Sequence, residues 1–297
     1  MMEINVKELC PEHDFVVSGV SYIGRPRPNT AMYVSKKVEK LIDNLCSVTS
    51  CLVFAENGVT VPKEITDQNC FIFSDSPQRD YALFAERLAQ QRLQRDKLRR
   101  YVICDGGYYL GENVQIGENA YIEPGCLIGH DVVIGKNAHI KAGAIIKNAI
   151  IGDFFVANEK AVIGSCGFTM VKDTNGDLMR IPTLGKVIIG NHVEIGSQDS
   201  ISSGSGGDTV IEDYVKLDAL VYIAHDVHLD KNIQIAAGGI VGGFADVGEG
   251  VFMGFNASVK NRVNVGNDSV IGMGTNVIRS VESNVTVVGN PARLLDS

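Results

Sequence analysis

The sequence predicts a mainly β protein in which a small α/β domain is followed by a solenoid of short, stacked parallel strands. Three observations support this fold class. From residue 110 an aliphatic residue recurs every sixth position, with a one-residue slip at Ile151 and a restart at Ile189 and Ile195, a second register of small or β-branched residues lies two positions earlier, and residues 1–100 lack both patterns. A helix would need a 3.6-residue period, and an antiparallel sheet would need longer alternating runs.

Residues 1–100 are predicted to form a separate α/β domain. CLVFA (51–55) and CFIFS (70–74) are short β-rich runs, whereas DYALFAERLAQQRLQRDKLRR (80–100) has the composition of a helix. We place the boundary with the solenoid domain, residues 101–297, near residue 101.

Two long series define the solenoid. The first contains Leu110, Ile116, Ile122, Ile128, Ile134, Ile140 and Ile146, and the second contains Ile211, Leu217, Ile223, Leu229, Ile235, Val241, Val247, Met253, Val259, Val265, Ile271 and Val277. Two inward positions in every six residues imply very short strands separated by turns that need Gly, Asn and Asp. Each coil is therefore expected to bury its neighbour.

An inserted stretch, SCGFTMVKDTNGDLMRIPTLGK (165–186), interrupts the repeat. Asn175-Gly176 is a strong hairpin-turn signal between two β-prone runs. We predict a loop that projects from the solenoid domain.

Composition narrows the classes of partner. The formal charge of −8, from 27 basic and 35 acidic residues, does not favour a nucleic-acid or anionic-membrane surface. The first residues lack the regions of a signal peptide, and no apolar run approaches the ~20 residues that span a bilayer. Seven cysteines without a CxxC pair fit unpaired thiols in a reducing compartment. We therefore expect a cytoplasmic protein without a membrane span.

The six-residue pattern resembles that of the hexapeptide-repeat acyltransferases. In that family three hexapeptides form one triangular coil of a left-handed parallel β-helix, and the resemblance implies this fold here. Residues 18 apart would then stack on one face, about 4.7–4.9 Å apart.

The stretch YIAHDVHLDKN (222–232) contains the strongest candidate for a catalytic base, His225. His130 is a rival, because it also follows an inward Ile and precedes an Asp. The residue 18 beyond His225 is Gly243, which would leave room for a substrate and expose a backbone N–H, whereas Asn148 lies 18 beyond His130. This combination suits acyl transfer, in which a neutral His removes a proton and an N–H stabilises the oxyanion. Asp226 is a candidate to orient the ring.

Two weaker signals favour structural interpretations. The spacing His225-x-x-His228 suggests a metal, but no third ligand recurs at a suitable spacing, and the repeat directs the two rings to different sides; we predict no metal site. SSGSGGD (202–208) is glycine-rich without a strand-to-helix context, so an irregular turn is expected.

A closer resemblance is to the UDP-3-O-acylglucosamine N-acyltransferases of lipid A synthesis. It rests on SGVSYIGRPRPNTAMYVSKK (18–37), on IGSCGF with RIPTLGKVIIGNHVEIG (163–196), and on YIAHDV (222–227), where His225 matches the family's catalytic histidine. The resemblance implies nucleotide-sugar contacts at Met32, Tyr33, Ser35 and Phe168. The family's F-M-x-N motif is replaced here by Met32, Tyr33, Val34 and Ser35.

Further departures concern the coils near His225. The family's I-D-R-G reads ISSG (201–204), and in place of a second histidine ASVKNRVNV (257–265) offers Lys260 and Arg262 for donor phosphates. Gly238, Gly239 and Gly242 are expected to keep side chains away from the donor's pantetheine arm. The sequence ends in VVGNPARLLDS rather than the family's helical tail, an ending similar to that of CoA-dependent sugar acetyltransferases.

The resemblance implies an N-acyltransferase that acts on a nucleotide-activated amino sugar. Acyl-CoA or acyl-carrier protein would be the co-substrate, no cofactor would be tightly bound, and the protein would be a homotrimer. Acetyl transfer from CoA to a sugar is an alternative. A non-catalytic binding or scaffold solenoid is an alternative of another class.

Overall fold

The computed structural model of the protein describes residues 3–295 and divides into two compact units. The first unit comprises Met1–Leu98, Phe168–Gly185 and Ser205–Gly207, and the second comprises Arg99–Gly167, Lys186–Gly204 and Asp208–Ser297. The chain first passes from one to the other at Leu98–Arg99, and it returns to the first unit twice. Most of the inserted stretch 165–186 groups with the first unit.

The first unit combines strands with helices, whereas the second unit consists of short strands separated by turns. The first unit has two 3-10 helices, η1 (Val6–Glu8) and η2 (Lys36–Ser47), and two α-helices, α1 (Lys63–Thr66) and α2 (Pro77–Lys97). In chain order the strands are β1 (Ile4–Asn5), β2 (Val16–Val17), β3 (Gly19–Val20), β4 (Thr30–Val34), β5 (Leu52–Glu56), β6 (Cys70–Ser74), β7 (Val102–Ile103), β8 (Tyr109–Leu110), β9 (Gln115–Ile116), β10 (Tyr121–Ile122), β11 (Leu127–Ile128), β12 (Val133–Ile134), β13 (His139–Ile140), β14 (Ile145–Ile146), β15 (Ala149–Ile151), β16 (Val156–Ala157), β17 (Val162–Ser165), β18 (Met170–Lys172), β19 (Leu178–Arg180), β20 (Val187–Ile189), β21 (Glu194–Ile195), β22 (Ser200–Ser202), β23 (Thr209–Ile211), β24 (Lys216–Leu217), β25 (Tyr222–Ile223), β26 (His228–Leu229), β27 (Gln234–Ile235), β28 (Ile240–Val241), β29 (Asp246–Val247), β30 (Phe252–Met253), β31 (Ser258–Val259), β32 (Asn264–Val265), β33 (Val270–Ile271), β34 (Asn276–Val277), β35 (Thr286–Val288) and β36 (Arg293–Leu294).

The first unit is built on a four-stranded parallel sheet in the order β3-β4-β5-β6. Successive residues of β5 point to opposite faces: Leu52 and Phe54 join the core that contains α2, whereas Val53 joins the core that contains η2 and α1. Both faces of the sheet are therefore covered, which explains why CLVFA is apolar throughout.

The inserted stretch forms an antiparallel hairpin of β18 and β19. Gly176 has a φ of +89°, and the Asp173 carboxylate accepts the N–H groups of Asn175 (2.8 Å) and Asp177 (2.9 Å). The turn therefore lies at the predicted Asn-Gly pair, where a residue without a side chain meets the need for a positive φ.

The second unit is a solenoid with three faces, and the coils stack so that each face is a sheet of parallel strands. One face contains β8, β11, β14, β17, β22, β25, β28, β31 and β34; a second contains β9, β12, β15, β20, β23, β26, β29 and β32; the third contains β10, β13, β16, β21, β24, β27, β30, β33 and β35. Tyr222 pairs with Ile240 and Ile223 with Val241, so residues 18 apart stack from coil to coil. This register confirms the repeat inferred from the sequence.

The aliphatic ladder is the core of the solenoid. Every one of the twelve residues from Ile211 to Val277 in the predicted second series is buried, and the residues two positions earlier, such as Val227 and Ala245, are buried with them. Ile116 is an exception and is exposed. It lies in β9, the end strand of its face, so no coil covers it from one side.

An acidic residue occupies one of these inward positions. Asp199 is fully buried two residues before Ile201, and its carboxylate accepts the backbone N–H groups of Gly196 and Val221, both at 2.7 Å. Burial raises the pKa of Asp199 to about 7, although the two N–H groups oppose this change. The carboxyl group therefore links its own turn to the following coil.

The described residues include no helix that is both long and apolar enough to cross a bilayer.

Candidate active site

His225 and Asp226 form a side-chain pair at the corner between β25 and β26. The imidazole Nδ1 lies 2.7 Å from Asp226 Oδ2, and only 9% of His225 is exposed. Asp226 has a φ of 60°, the left-handed conformation that Asp tolerates better than most residues. With the carboxylate ionised, Nδ1 carries the proton and Nε2 is the basic nitrogen. The pair has the geometry of a general base and its orienting acid.

Gly243 lies at the same corner one coil later, as the 18-residue spacing predicts. A Cβ atom built on Gly243 would lie 2.7 Å from Cε1 and 2.8 Å from Nε2 of His225. The missing side chain therefore leaves room for the imidazole itself, rather than only for a substrate as the sequence suggested. Within residues 3–295 the Gly243 N–H has no hydrogen-bond acceptor. Gly243 is itself buried, so this donor lies beside the imidazole inside the corner rather than on the open surface.

The next two coils place Phe244 and Arg262 beside this corner. Phe244 packs edge-on against His225, with ring centroids 5.3 Å apart at 84°, and the Arg262 guanidinium carbon lies 4.3 Å from the Phe244 centroid. Asp226, Phe244 and Arg262 occupy the same turn position in successive coils, each with a φ near 60°. Sequence analysis missed Phe244, although its position 18 residues after Asp226 could have identified it.

The donor-site candidates separate into two groups. Lys260 is exposed and begins the turn that contains Arg262, at the His225 corner, and Gly242 begins the turn that contains Gly243. Gly238 and Gly239 lie at the opposite end of β28. A Cβ on Gly238 would collide with the Asn256 side chain, and a Cβ on Gly239 would collide with the Ile235 side chain. Close packing therefore explains why both positions are glycine.

His130, the rival base, has different partners. Its Nδ1 accepts the Glu112 N–H at 2.8 Å, and Tyr101 packs on its ring at 4.5 Å. The following residue, Asp131, binds Arg99 through Nη2 at 2.9 Å. The His-Asp sequence is thus the same at both corners, but the carboxylate is paired with an arginine at His130 and with the imidazole at His225.

The nucleotide-sugar candidates lie in the first unit. Met32 is fully buried in the core, so its side chain presents no surface to a ligand. Tyr33 is half-buried, with its ring 5.3 Å from that of Tyr81, and Ser35 is half-buried. Phe168 is exposed, with the Arg180 guanidinium carbon 5.3 Å from its ring centroid.

His228 points to a different face from His225, as the repeat predicted. Its nitrogens lie 3.6 Å from Glu212 and 3.4 Å from Asp246. Among residues 3–295, no group of three or more His, Cys, Asp and Glu side chains is placed to hold a metal ion.

Known proteins resemble this chain in sequence and in fold. Residues 113–148 match the family described as "Bacterial transferase hexapeptide (six repeats)". The UDP-3-O-acylglucosamine N-acyltransferase of Caulobacter sp. (strain K31) is 36% identical over 50% of this chain and 43% of its own length. That of Coxiella burnetii (strain Dugway 5J108-111) is 45% identical over 29% of this chain and 25% of its own length. The matches thus span less than half of these relatives.

A solved structure shares the solenoid. The UDP-N-acetylglucosamine acyltransferase from Campylobacter jejuni is 25% identical, with a TM-score of 0.58 over 64% of this chain and 73% of that chain. The fold predicted from the resemblance, a left-handed parallel β-helix of hexapeptide repeats, is confirmed.

Proposed function

We propose that this left-handed β-helix of hexapeptide repeats is an N-acyltransferase that moves an acyl group from a phosphopantetheine thioester to the amine of a nucleotide-activated amino sugar. One observation carries the proposal: His225 is oriented by Asp226 at 2.7 Å, and its Nε2 edge lies against Gly243. The names of the relatives supply the acceptor class, a UDP-3-O-acylglucosamine.

The corner provides the groups that the reaction needs. The acceptor amine attacks the thioester carbonyl carbon, a C–N bond forms, and His225 Nε2 takes the amine proton while Asp226 stabilises the resulting imidazolium. The Gly243 N–H donates to the oxyanion of the tetrahedral intermediate. When the C–S bond breaks, the imidazolium returns the proton to the departing thiolate. The products are an amide and a free thiol.

Two cations at this corner suit the phosphates of the donor. Lys260 and Arg262 lie one coil beyond Gly243, and both are exposed. CoA carries more phosphate groups than the single phosphodiester of a carrier protein's pantetheine arm, so two cations favour CoA. For the acceptor we propose that Tyr33, Ser35 and Phe168 contact the nucleotide, and we leave out the buried Met32.

Thiol release tests the reaction and the donor together. With a UDP-3-O-acylglucosamine acceptor, we expect acceptor-dependent thiol release and a product heavier by one acyl group, with kcat/KM for acyl-CoA equal to or above that for the same acyl group on carrier protein. Omitting the acceptor is the control. A carrier-protein preference above about tenfold, roughly 1.4 kcal/mol in transition-state binding, would contradict the donor preference. A complete lack of thiol release with both donors would favour the scaffold alternative.

We propose that the active protein is a homotrimer. His225 lies at a corner of the solenoid, outside its aliphatic core, where a neighbouring subunit would complete the site. Large apolar side chains on the outer surface of nearby coils, Ile240, Phe255 and Met273, are exposed and would be covered in an assembly.

Light scattering measures the assembly directly. We expect a mass of about 96 kDa, three times the 32.0 kDa of one chain. Phe255→Asp combined with Met273→Asp should shift the protein toward monomer, whereas Leu83→Asp, at an exposed position on α2 in the first unit, should not. A wild-type monomer at the assay concentration would contradict the proposal.

A further inference from the structure

Regular corners of the solenoid hold their left-handed residue through a bond to the preceding coil. The Asn232 N–H donates to Asp213 O (3.1 Å), the Phe244 N–H to His225 O (3.2 Å), and the Arg262 N–H to Gly243 O (3.0 Å). In each case a backbone carbonyl accepts the bond.

The corner of Asp226 departs from this rule. In the preceding coil, residues 203–208 separate β22 from β23, whereas residues 224–227 separate β25 from β26, so the earlier corner is longer. At Asp226 a side chain replaces the carbonyl: the Asp226 N–H donates to Thr209 Oγ1 at 2.9 Å, and the Thr209 hydroxyl donates to Ser202 O at 2.7 Å. Thr209 is fully buried. One hydroxyl thus bridges the longer corner and the backbone of the orienting acid.

We infer that Thr209 is a positioning residue for catalysis, which acts on His225 through Asp226. Asp226 directs its carboxylate at Nδ1 from a left-handed conformation, which costs Asp less than most residues, and at the three regular corners above the N–H of the left-handed residue is held by a hydrogen bond. The Thr209 hydroxyl is the acceptor that fixes it. This inference rests on the proposed function, because it assigns Thr209 to the same reaction.

The shape of the residue can be separated from its hydroxyl. Thr209→Val keeps the branched shape and removes both hydrogen bonds, whereas Thr209→Ser keeps the hydroxyl. Thr275→Val is a matched control, since Thr275 is also fully buried and its Oγ1 accepts a backbone N–H, that of Gly289 at 3.2 Å, away from His225.

We expect Thr209→Val to lower kcat by about 10- to 100-fold with little change in KM, because small misplacements of catalytic groups have effects of this order. The kcat of Thr209→Ser should stay within about threefold of the wild-type value. The kcat of Thr275→Val should equal that of wild type. A poorly placed carboxylate stabilises the imidazolium less, so the acidic limb of the kcat/KM profile should move to lower pH in Thr209→Val only. Hydrogen exchange of the peptide containing Asp226 should accelerate in the same variant.

The outcomes separate this inference from the proposed function. If His225→Ala turns over like wild type, the assignment of the base fails and the role of Thr209 fails with it. If His225→Ala is inactive but Thr209→Val has the kcat and pH profile of Thr275→Val, only the role of Thr209 is overturned. If Thr209→Val does not fold, Thr209→Cys replaces it, since a thiol is a weak acceptor. Its kcat should then lie below that of Thr209→Ser, and equal values would overturn the inference.

Discussion

Replacing His225 with alanine should lower kcat by about 10²–10⁴, the range typical of the loss of a general base. The fold should persist, because His225 lies at a corner and not in the aliphatic ladder. Initial rates with a saturating donor, together with a thermal melt of the same preparation, measure both quantities.

His130→Ala is the matched control. It removes the other histidine that precedes an aspartate at a solenoid corner. The two substitutions therefore differ in which contacts of the imidazole ring are lost. Loss of the acceptor for the Glu112 N–H and of the contact with Tyr101 should lower the melting temperature modestly and leave kcat near that of wild type. If His130→Ala were inactive and His225→Ala active, the assignment of the base would be wrong.

The sequence predicted the coil because the repeat is a local consequence of burial. Each inward residue packs against the residues at the equivalent position one coil before and one coil after it. The pattern of aliphatic residues therefore predicts both the period of six and the contact between residues 18 apart. The same 18-residue spacing predicted that Gly243 lies beside His225. The spacing holds wherever every coil has the same number of residues.

Contacts that depend on departures from the repeat could not be predicted in this way. His130-Asp131 and His225-Asp226 look alike in sequence, but Asp131 binds Arg99, which lies 32 residues earlier in the chain, whereas Asp226 contacts the imidazole of His225. The contact of Thr209 with Asp226 could not be predicted from the repeat. The corner 203–208 is longer than a regular corner, and the Thr209 hydroxyl takes the place of the backbone carbonyl that accepts this hydrogen bond elsewhere.

Gly243→Ala should lower kcat by about 10²-fold, the effect expected when a catalytic group moves by about 1 Å. The backbone itself accepts a side chain, since His225 and Asn261 occupy the equivalent corner position in the adjacent coils. The obstacle is the imidazole: the new Cβ would lie 2.7 Å from Cε1, closer than carbon atoms pack. The ring must move, and its 2.7 Å contact with Asp226 must lengthen.

The variant also distinguishes two roles of the glycine. Alanine keeps the backbone N–H, so a loss of kcat reports displacement of His225 and not removal of the oxyanion donor. Gly248→Ala is the control, because its Cβ would meet the Asn267 side chain and backbone rather than a catalytic residue, and it should cost stability without changing kcat. A crystal structure of Gly243→Ala should show the imidazole rotated away from Asp226. Wild-type kcat in Gly243→Ala, with the ring unmoved, would mean that the space beside Gly243 does not fix the base and that its N–H alone connects this glycine to the reaction.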